Sequence, residues 1–252
     1  MIETFVIATV LVLLRVASFV ALLPPFAAGG LPKSVKLGLA VALTCVWGPL
    51  HAPDAWVDVC AASLGEHAWL VLGWMAGREV MIGAGLAWLL GLVFVPFRIA
   101  GSYLAQEMGL TMAALASPVD QQSSSIVSQF IEGIATLLFF AVDAPHLLFR
   151  VFARCLESLP VGQPITLPGP AWIVSCVSRV EAAGLELAAP VAAGLFLTTA
   201  LLAFLMRWAP QFNLLTFGTA FRLLAGLVLL LLLLPDLVNR MTLLLQHWGN
   251  LA

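Results

Sequence analysis

The sequence predicts an all-α, polytopic membrane-type fold, on three observations. Its composition is too apolar for a water-soluble domain: 62 % hydrophobic and 10 % charged residues, with a mean hydropathy of +1.06, where soluble domains hold roughly 45–50 % and about 25 %. Several apolar runs reach the roughly 20 residues that a helix needs to cross a hydrocarbon core. The short alternating segments that mark a membrane barrel do not occur.

Taken in order, Phe5 to Leu23 forms the first apolar helix, interrupted only by Arg15 and Ser18. Pro24-Pro25 stops it, because proline cannot continue the hydrogen-bond ladder. The apolar start has no basic segment and no small-residue cleavage site, so it reads as a retained helix rather than a signal peptide. A loop with Gly29-Gly30, Lys33 and Lys36 leads to a second, short helix over Val35–Trp47. His51 to Glu66 is polar and acidic.

Ala68 to Pro96 is the third apolar stretch. Its Gly73, Gly77, Gly83 and Gly85 are spaced to let another helix approach closely. Arg98 to Phe130 is a polar, small-residue segment between oily helices. Ile126 to Val142 is a fourth helix, carrying Glu132. His146 to Leu159 reads as amphipathic, with Arg150, Arg154 and Glu157 among leucines and phenylalanines. After a Pro/Gly loop, Trp172 to Trp208 is a long helical pattern that Pro190 kinks or divides. Leu214 to Leu234 is the last apolar run. Pro235 interrupts it, and an amphipathic end follows to Trp248.

The charge distribution excludes some functions and complicates the topology. A net charge of −2 without a basic patch gives no sign of nucleic-acid binding. Lys33, Lys36, Arg98 and Arg207 agree on one cytoplasmic side, while Arg150, Arg154 and Arg240 fall on the other. That conflict implies that some apolar helices do not cross the bilayer singly. The four cysteines lack CxxC spacing and read as small buried hydrophobes.

No catalytic, cofactor or metal motif is present. The four histidines are isolated, and there is no GxSxG, Walker A or strand-to-helix GxGxxG pattern. An intramembrane enzyme therefore has no chemistry to use. The charges inside apolar helices are more informative: Arg15, Arg78, Glu79, Glu132, Glu181, Glu186 and Arg222. A charge at mid-bilayer costs about 2.5–3.5 kcal/mol on insertion scales, so such groups face a partner or a water-filled cavity. Arg78 and Glu79 point about 100° apart on a helix and are expected to pair with other helices. A secondary transporter using Glu132, Glu186 and Arg222 is a second class of reading. It lacks the internal repeat and paired broken helices of such folds.

The polar segment holds the remaining candidates. Met108, Leu110, Met112 and Leu115 suit either a deformable apolar seal or ordinary core packing. Ser117-Pro118-x-Asp120, followed by Gln121-Gln122 and three serines, is a turn and helix-start signal.

Three blocks in register resemble the FliR/SctT family of export-gate proteins of bacterial type III secretion. The first runs from Gly101 through Ala105, Gln106, Met108, Gly109 and Leu110 to Met112, then Val119, Asp120, Gln122 and Ser123. The second is Arg78-Glu79 with Gly83. The third is Ala209-Pro210-Gln211-Phe212-Asn213, a tight hairpin turn, followed by Gly218 and a leucine run. Gln121 and Ser124 depart from the family's usual proline and glycine.

The resemblance implies a non-enzymatic, cofactor-free subunit of a protein-conducting gate in the bacterial inner membrane. Implied partners are FliP/SctR-type, FliQ/SctS-type and FlhB/SctU-type membrane subunits, with unfolded export substrates in transit. Residues 1–171 would form a FliP-like part and 172–252 a FliQ-like helical hairpin. The 107–123 loop would plug the channel through Met108, Gly109, Leu110, Met112, Ser117, Pro118, Asp120 and Gln122. Arg78, Glu79, Glu132 and Arg222 would serve inter-helix or inter-subunit pairing, and Pro210, Gln211 and Asn213 the hairpin turn. The Ala144–Leu148, Leu159–Gly162 and Asn213–Gly218 patterns favour the flagellar branch over a virulence injectisome.

Overall fold

A computed structural model describes residues 2–23, 32–51, 68–110, 126–159, 169–208 and 214–251. Every regular element among them is a helix: α1 (Ile2–Leu22), α2 (Lys33–His51), α3 (Ala68–Gly91), α4 (Val95–Glu107), α5 (Ile126–Ala141), α6 (Ala144–Ser158), α7 (Pro170–Trp208) and α8 (Leu214–Leu251). Four contain stretches long and apolar enough to cross a membrane: Phe5–Leu22, Trp69–Gly91, Pro170–Leu205 and Gly218–Gln246. The polytopic all-α expectation is met.

The helices fall into two compact units, one of residues 1–92 with 145–169, the other of 93–144 with 170–252. In the first unit α1 packs against both α2 and α3. The buried positions of α1 are Ala8, Leu11, Val12, Arg15, Val16, Phe19 and Val20, the i, i+3, i+4 spacing of one helix face. On α3 the matching stripe is Met75, Glu79, Gly83 and Ala87. Gly83 is where the two backbones meet, because a Cβ there would collide with Ser18 Oγ and the Arg15 carbonyl. Among the described residues Gly73, Gly77 and Gly85 meet nothing within 4 Å, so there only Gly83 of the four expected contact glycines serves a crossing.

The amphipathic helix α6 completes this unit as its sequence predicts. Leu148, Phe152 and Leu156 are buried, while Arg150, Arg154 and Glu157 are exposed. Phe152 lies 4.6 Å from Phe19 of α1 and stacks at 5.0 Å on Trp47 of α2, ring centre to ring centre. These offsets suit aromatic pairs, which add about 0.5–1.5 kcal/mol each beyond their burial.

In the second unit α4 packs against α5 and α7, and α7 packs along α8. Helix α4 was not expected, since residues 98–107 read as the start of a polar loop. Pro96 sits in its first turn, where the missing N–H costs nothing. Its buried positions, Phe97, Ala100, Gly101, Leu104 and Ala105, follow helical spacing with small residues at the contact. A Cβ on Gly101 would stand 2.7 Å from Ser128 Cα, so α4 and α5 cross with their backbones nearly touching. Small residues hide an amphipathic period because they register weakly on any hydropathy scale.

The two long helices decide against a division at Pro190 and correct the interruption expected at Pro235. Helix α7 runs unbroken through Pro190, and α8 through Pro235. Each proline forfeits one backbone hydrogen bond. The long apolar flanks keep helix as the only state that satisfies the remaining backbone in an apolar setting.

Candidate functional site

Helix α4 takes up residues 98–107 of the polar segment, and its ending is well defined. The Met108 N–H donates to the Leu104 carbonyl at 2.9 Å, and the Gly109 N–H to the Gln106 carbonyl at 3.0 Å. Gly109 has φ of 80°, a left-handed conformation that ends a helix without strain only for glycine. Met108 is 1 % exposed. Its side chain lies against Gly226 of α8, where a Cβ would stand 2.6 Å from Met108 Cγ and 2.7 Å from Cε. Leu110 is half-buried. Met112, Ser117, Pro118, Asp120 and Gln122 lie outside the described residues, as do Pro210, Gln211 and Asn213 of the expected hairpin turn.

The charged candidates separate into two groups, one in each unit. Glu79 is fully buried, and its partner is Arg15 of α1, also fully buried. The Arg15 Nε donates to Glu79 Oε2 at 2.6 Å, and Nη1 donates to the Leu159 carbonyl at the end of α6 at 2.7 Å. One guanidinium thus fastens three chain segments. Arg78, 16 % exposed at the side chain, places Nη2 3.4 Å from Glu79 Oε1. Glu79 thus pairs across to α1, with Arg15, another of the charges that the sequence places inside apolar helices. The available signal was Arg15 and Ser18 standing on the same α1 face, three residues apart. An all-round apolar α1 concealed that face.

In the second unit Glu132 accepts a hydrogen bond from Arg98 Nε at 3.2 Å, and Ser128 Oγ lies 3.4 Å from the same oxygen. This pair is open, with side chains 61 % and 35 % exposed. Arg222 is half-buried, and no ion pair forms at it among the described residues. Glu186 and Arg240 line an open cleft of about 250 Å³ between α7 and α8, with Ala183, Leu187, Leu243 and Leu244. Arg222 and Arg240 are 18 positions apart on α8, or about 27 Å at 1.5 Å per residue. Of the charges of the transporter reading, Glu186 stands beside Arg240, far along α8 from Arg222, and Glu132 stands on α5.

Among the described residues no three His, Cys, Asp or Glu side chains converge as metal ligands. Cys45, Cys155 and Cys176 are free thiols. Cys45 is exposed and the other two are half-buried, against the expectation that all would be buried. What the geometry brings together is structural: fastened helices, close crossings and a capped helix end at the root of the polar segment.

Comparison with known proteins places this architecture. The flagellar biosynthetic protein FliR of Escherichia coli (strain K12) is 28 % identical over 225 residues, covering 88 % of this chain and 82 % of that protein. FliR of Bacillus subtilis (strain 168) is 25 % identical over 230 residues, covering 89 % and 85 %. The surface presentation of antigens protein SpaR of Shigella sonnei is 25 % identical over 167 residues, covering 62 % and 59 %. The family described as bacterial export proteins, family 1, matches residues 6–248. With that match over nearly its whole length, the chain belongs to the bacterial export proteins of family 1, the family its three sequence blocks resemble.

Proposed function

We propose that this chain is a non-enzymatic subunit of the membrane export gate of a flagellar-type protein secretion apparatus, forming part of its protein-conducting channel. The observation that carries the reading is the family match over residues 6–248, joined by FliR relatives that align along more than four-fifths of the chain. The gate would sit in the bacterial inner membrane, at the flagellar basal body. Its partners would be FliP-type, FliQ-type and FlhB-type subunits, with unfolded export substrates passing through. Residues 1–171 would serve as the FliP-like part and 172–252 as the FliQ-like hairpin. The 107–123 loop would block the channel. The defined end of α4 at Met108 and Gly109 supports this reading, because a plug needs a fixed root.

The SpaR relative keeps a second reading, the same gate role in a virulence injectisome. A deletion strain scored for swimming and for effector secretion separates the two, with loss of swimming expected. The gate role itself is checked by particle mass. Co-expressed with its chromosomal neighbours and extracted in mild detergent, the chain is expected in a large hetero-oligomer. A stable monomer with solute transport in liposomes would overturn the proposal. Shortening the loop between residues 111 and 123 is expected to raise the ion conductance of the assembled complex.

A further inference from the structure

We infer that the cleft between α7 and α8 seats the headgroup of a phosphatidylethanolamine molecule, with the phosphate at Arg240 and the ammonium at Glu186. The inference goes beyond the gate reading and does not depend on it. It begins with two opposite charges that line one cleft without pairing. Among the described residues neither Glu186 nor Arg240 takes part in an ion pair. Both residues are exposed, and both border the same space of about 250 Å³. Its remaining walls are Ala183, Leu187, Leu243 and Leu244. An anion and a cation held over an aliphatic wall match a ligand with one charge of each sign and a hydrocarbon tail.

The position of the cleft along the two helices identifies that ligand as a lipid. Ala188 to Trp208 on α7 carries no charge except Arg207, and Leu214 to Leu234 on α8 none except Arg222. Each run has 21 residues, about 32 Å at 1.5 Å per residue, against a hydrocarbon core of about 30 Å. Within these runs Phe196, Leu197, Leu201, Leu224, Leu231 and Leu232 are 63–71 % exposed, a surface for acyl chains. The runs lie side by side, since a Cβ on Gly194 would stand 2.8 Å from Leu229 Cδ1. Glu186 follows the end of one run and Arg240 the end of the other, so the cleft opens at headgroup level. Its volume is below the roughly 300–1,000 Å³ of pockets that enclose whole ligands, and suits a headgroup whose chains lie outside. A glycerol headgroup offers Glu186 no cation, and a choline ammonium has no N–H to donate. The ethanolamine ammonium has three, and the planar guanidinium of Arg240 fits a phosphate.

The test is native mass spectrometry of the full chain, with whatever subunits it carries on extraction. The sample is stripped of lipid in detergent and titrated with dihexanoyl phosphatidylethanolamine, phosphatidylcholine or phosphatidylglycerol. Phosphatidylethanolamine is expected to bind about tenfold more tightly than the other two, the effect of one charged hydrogen bond. Glu186→Gln is expected to remove that preference and leave phosphatidylglycerol binding unchanged. Arg240→Gln is expected to weaken all three lipids about tenfold. Ala183→Phe fills the cleft with its charges intact and is expected to weaken all three as well. Both charged residues are exposed, so the glutamine variants are expected to keep the wild-type unfolding midpoint, which separates lost binding from lost fold. Equal affinity for phosphatidylethanolamine and phosphatidylglycerol overturns the inference, as does unchanged phosphatidylethanolamine binding in both glutamine variants. A chain that binds this lipid alone but holds none in its complex would mean that another subunit fills the cleft, and that result overturns it too.

Discussion

The two units each contain an arginine–glutamate pair that joins neighbouring helices, and they are built in opposite ways. Arg15–Glu79 is wholly buried, and its guanidinium also holds the end of α6 through the Leu159 carbonyl. Arg98–Glu132 lies at the surface of its unit. The residue types are the same; what differs is their place on the helix. Arg15 and Glu79 stand on the buried stripes of α1 and α3. Arg98 and Glu132 each stand one residue past a buried position, Phe97 and Ile131. One residue is a turn of about 100°. That offset converts a pin in the core into a surface contact. It also decides the energetics, because a buried charge left alone carries its full desolvation cost, while an exposed one is rehydrated.

The largest expected effect follows from breaking the buried pair. Glu79→Ala leaves the Arg15 charge without compensation and is expected to cost about 3–5 kcal/mol. The readout is the midpoint of thermal unfolding in mild detergent, together with the yield of folded protein. Replacing both residues by leucine removes the stranded charge and is expected to recover much of the loss. An unchanged midpoint in Glu79→Ala would show that water reaches the pair and would erase the contrast. The α3 glycines give a second, smaller test. Gly83→Ala pushes a methyl group into the Arg15 carbonyl and is expected to cost about 1–3 kcal/mol. Gly77→Ala meets nothing and is expected to gain up to about 1 kcal/mol from helix propensity. Equal effects at the two sites would mean that α1 does not cross α3 at Gly83.

What was legible in the sequence follows the same logic. Long apolar runs and the amphipathic α6 announce themselves, because their pattern is large compared with the noise of single residues. Helix α4 did not, since beyond Phe97 its buried face is made of Ala, Gly and Leu among polar neighbours. Continuity through Pro190 and Pro235 was equally hidden, because a local rule for proline carries no knowledge of the apolar flanks on either side. Of the candidate site, Glu79 and Glu132 were identified from burial cost alone. Arg15 was marked by the same cost, but its pairing with Glu79 was not, because α1 is so apolar that no periodicity showed which side was inside. The contact at Gly226 was unreadable for a different reason: it exists only in relation to Met108, 118 positions earlier in the chain.

The smallest effect belongs to the surface pair, and it is the sharper test of the comparison. Arg98→Gln removes a 3.2 Å charged hydrogen bond from a site where the arginine is 61 % exposed. Surface pairs contribute about 0–1 kcal/mol, and salt screens them. The isolated chain in detergent is expected to lose no more than that, with the loss fading between low and high ionic strength. Glu132 keeps Ser128 Oγ at 3.4 Å after the substitution, so its carboxylate is not stranded. A loss as large as that of Glu79→Ala would mean that the detergent belt or another subunit covers this face. The two pairs would then differ in what surrounds them rather than in where they stand on their helices. Repeating the measurement on the assembled complex distinguishes those causes, because a subunit contact would add its cost only there.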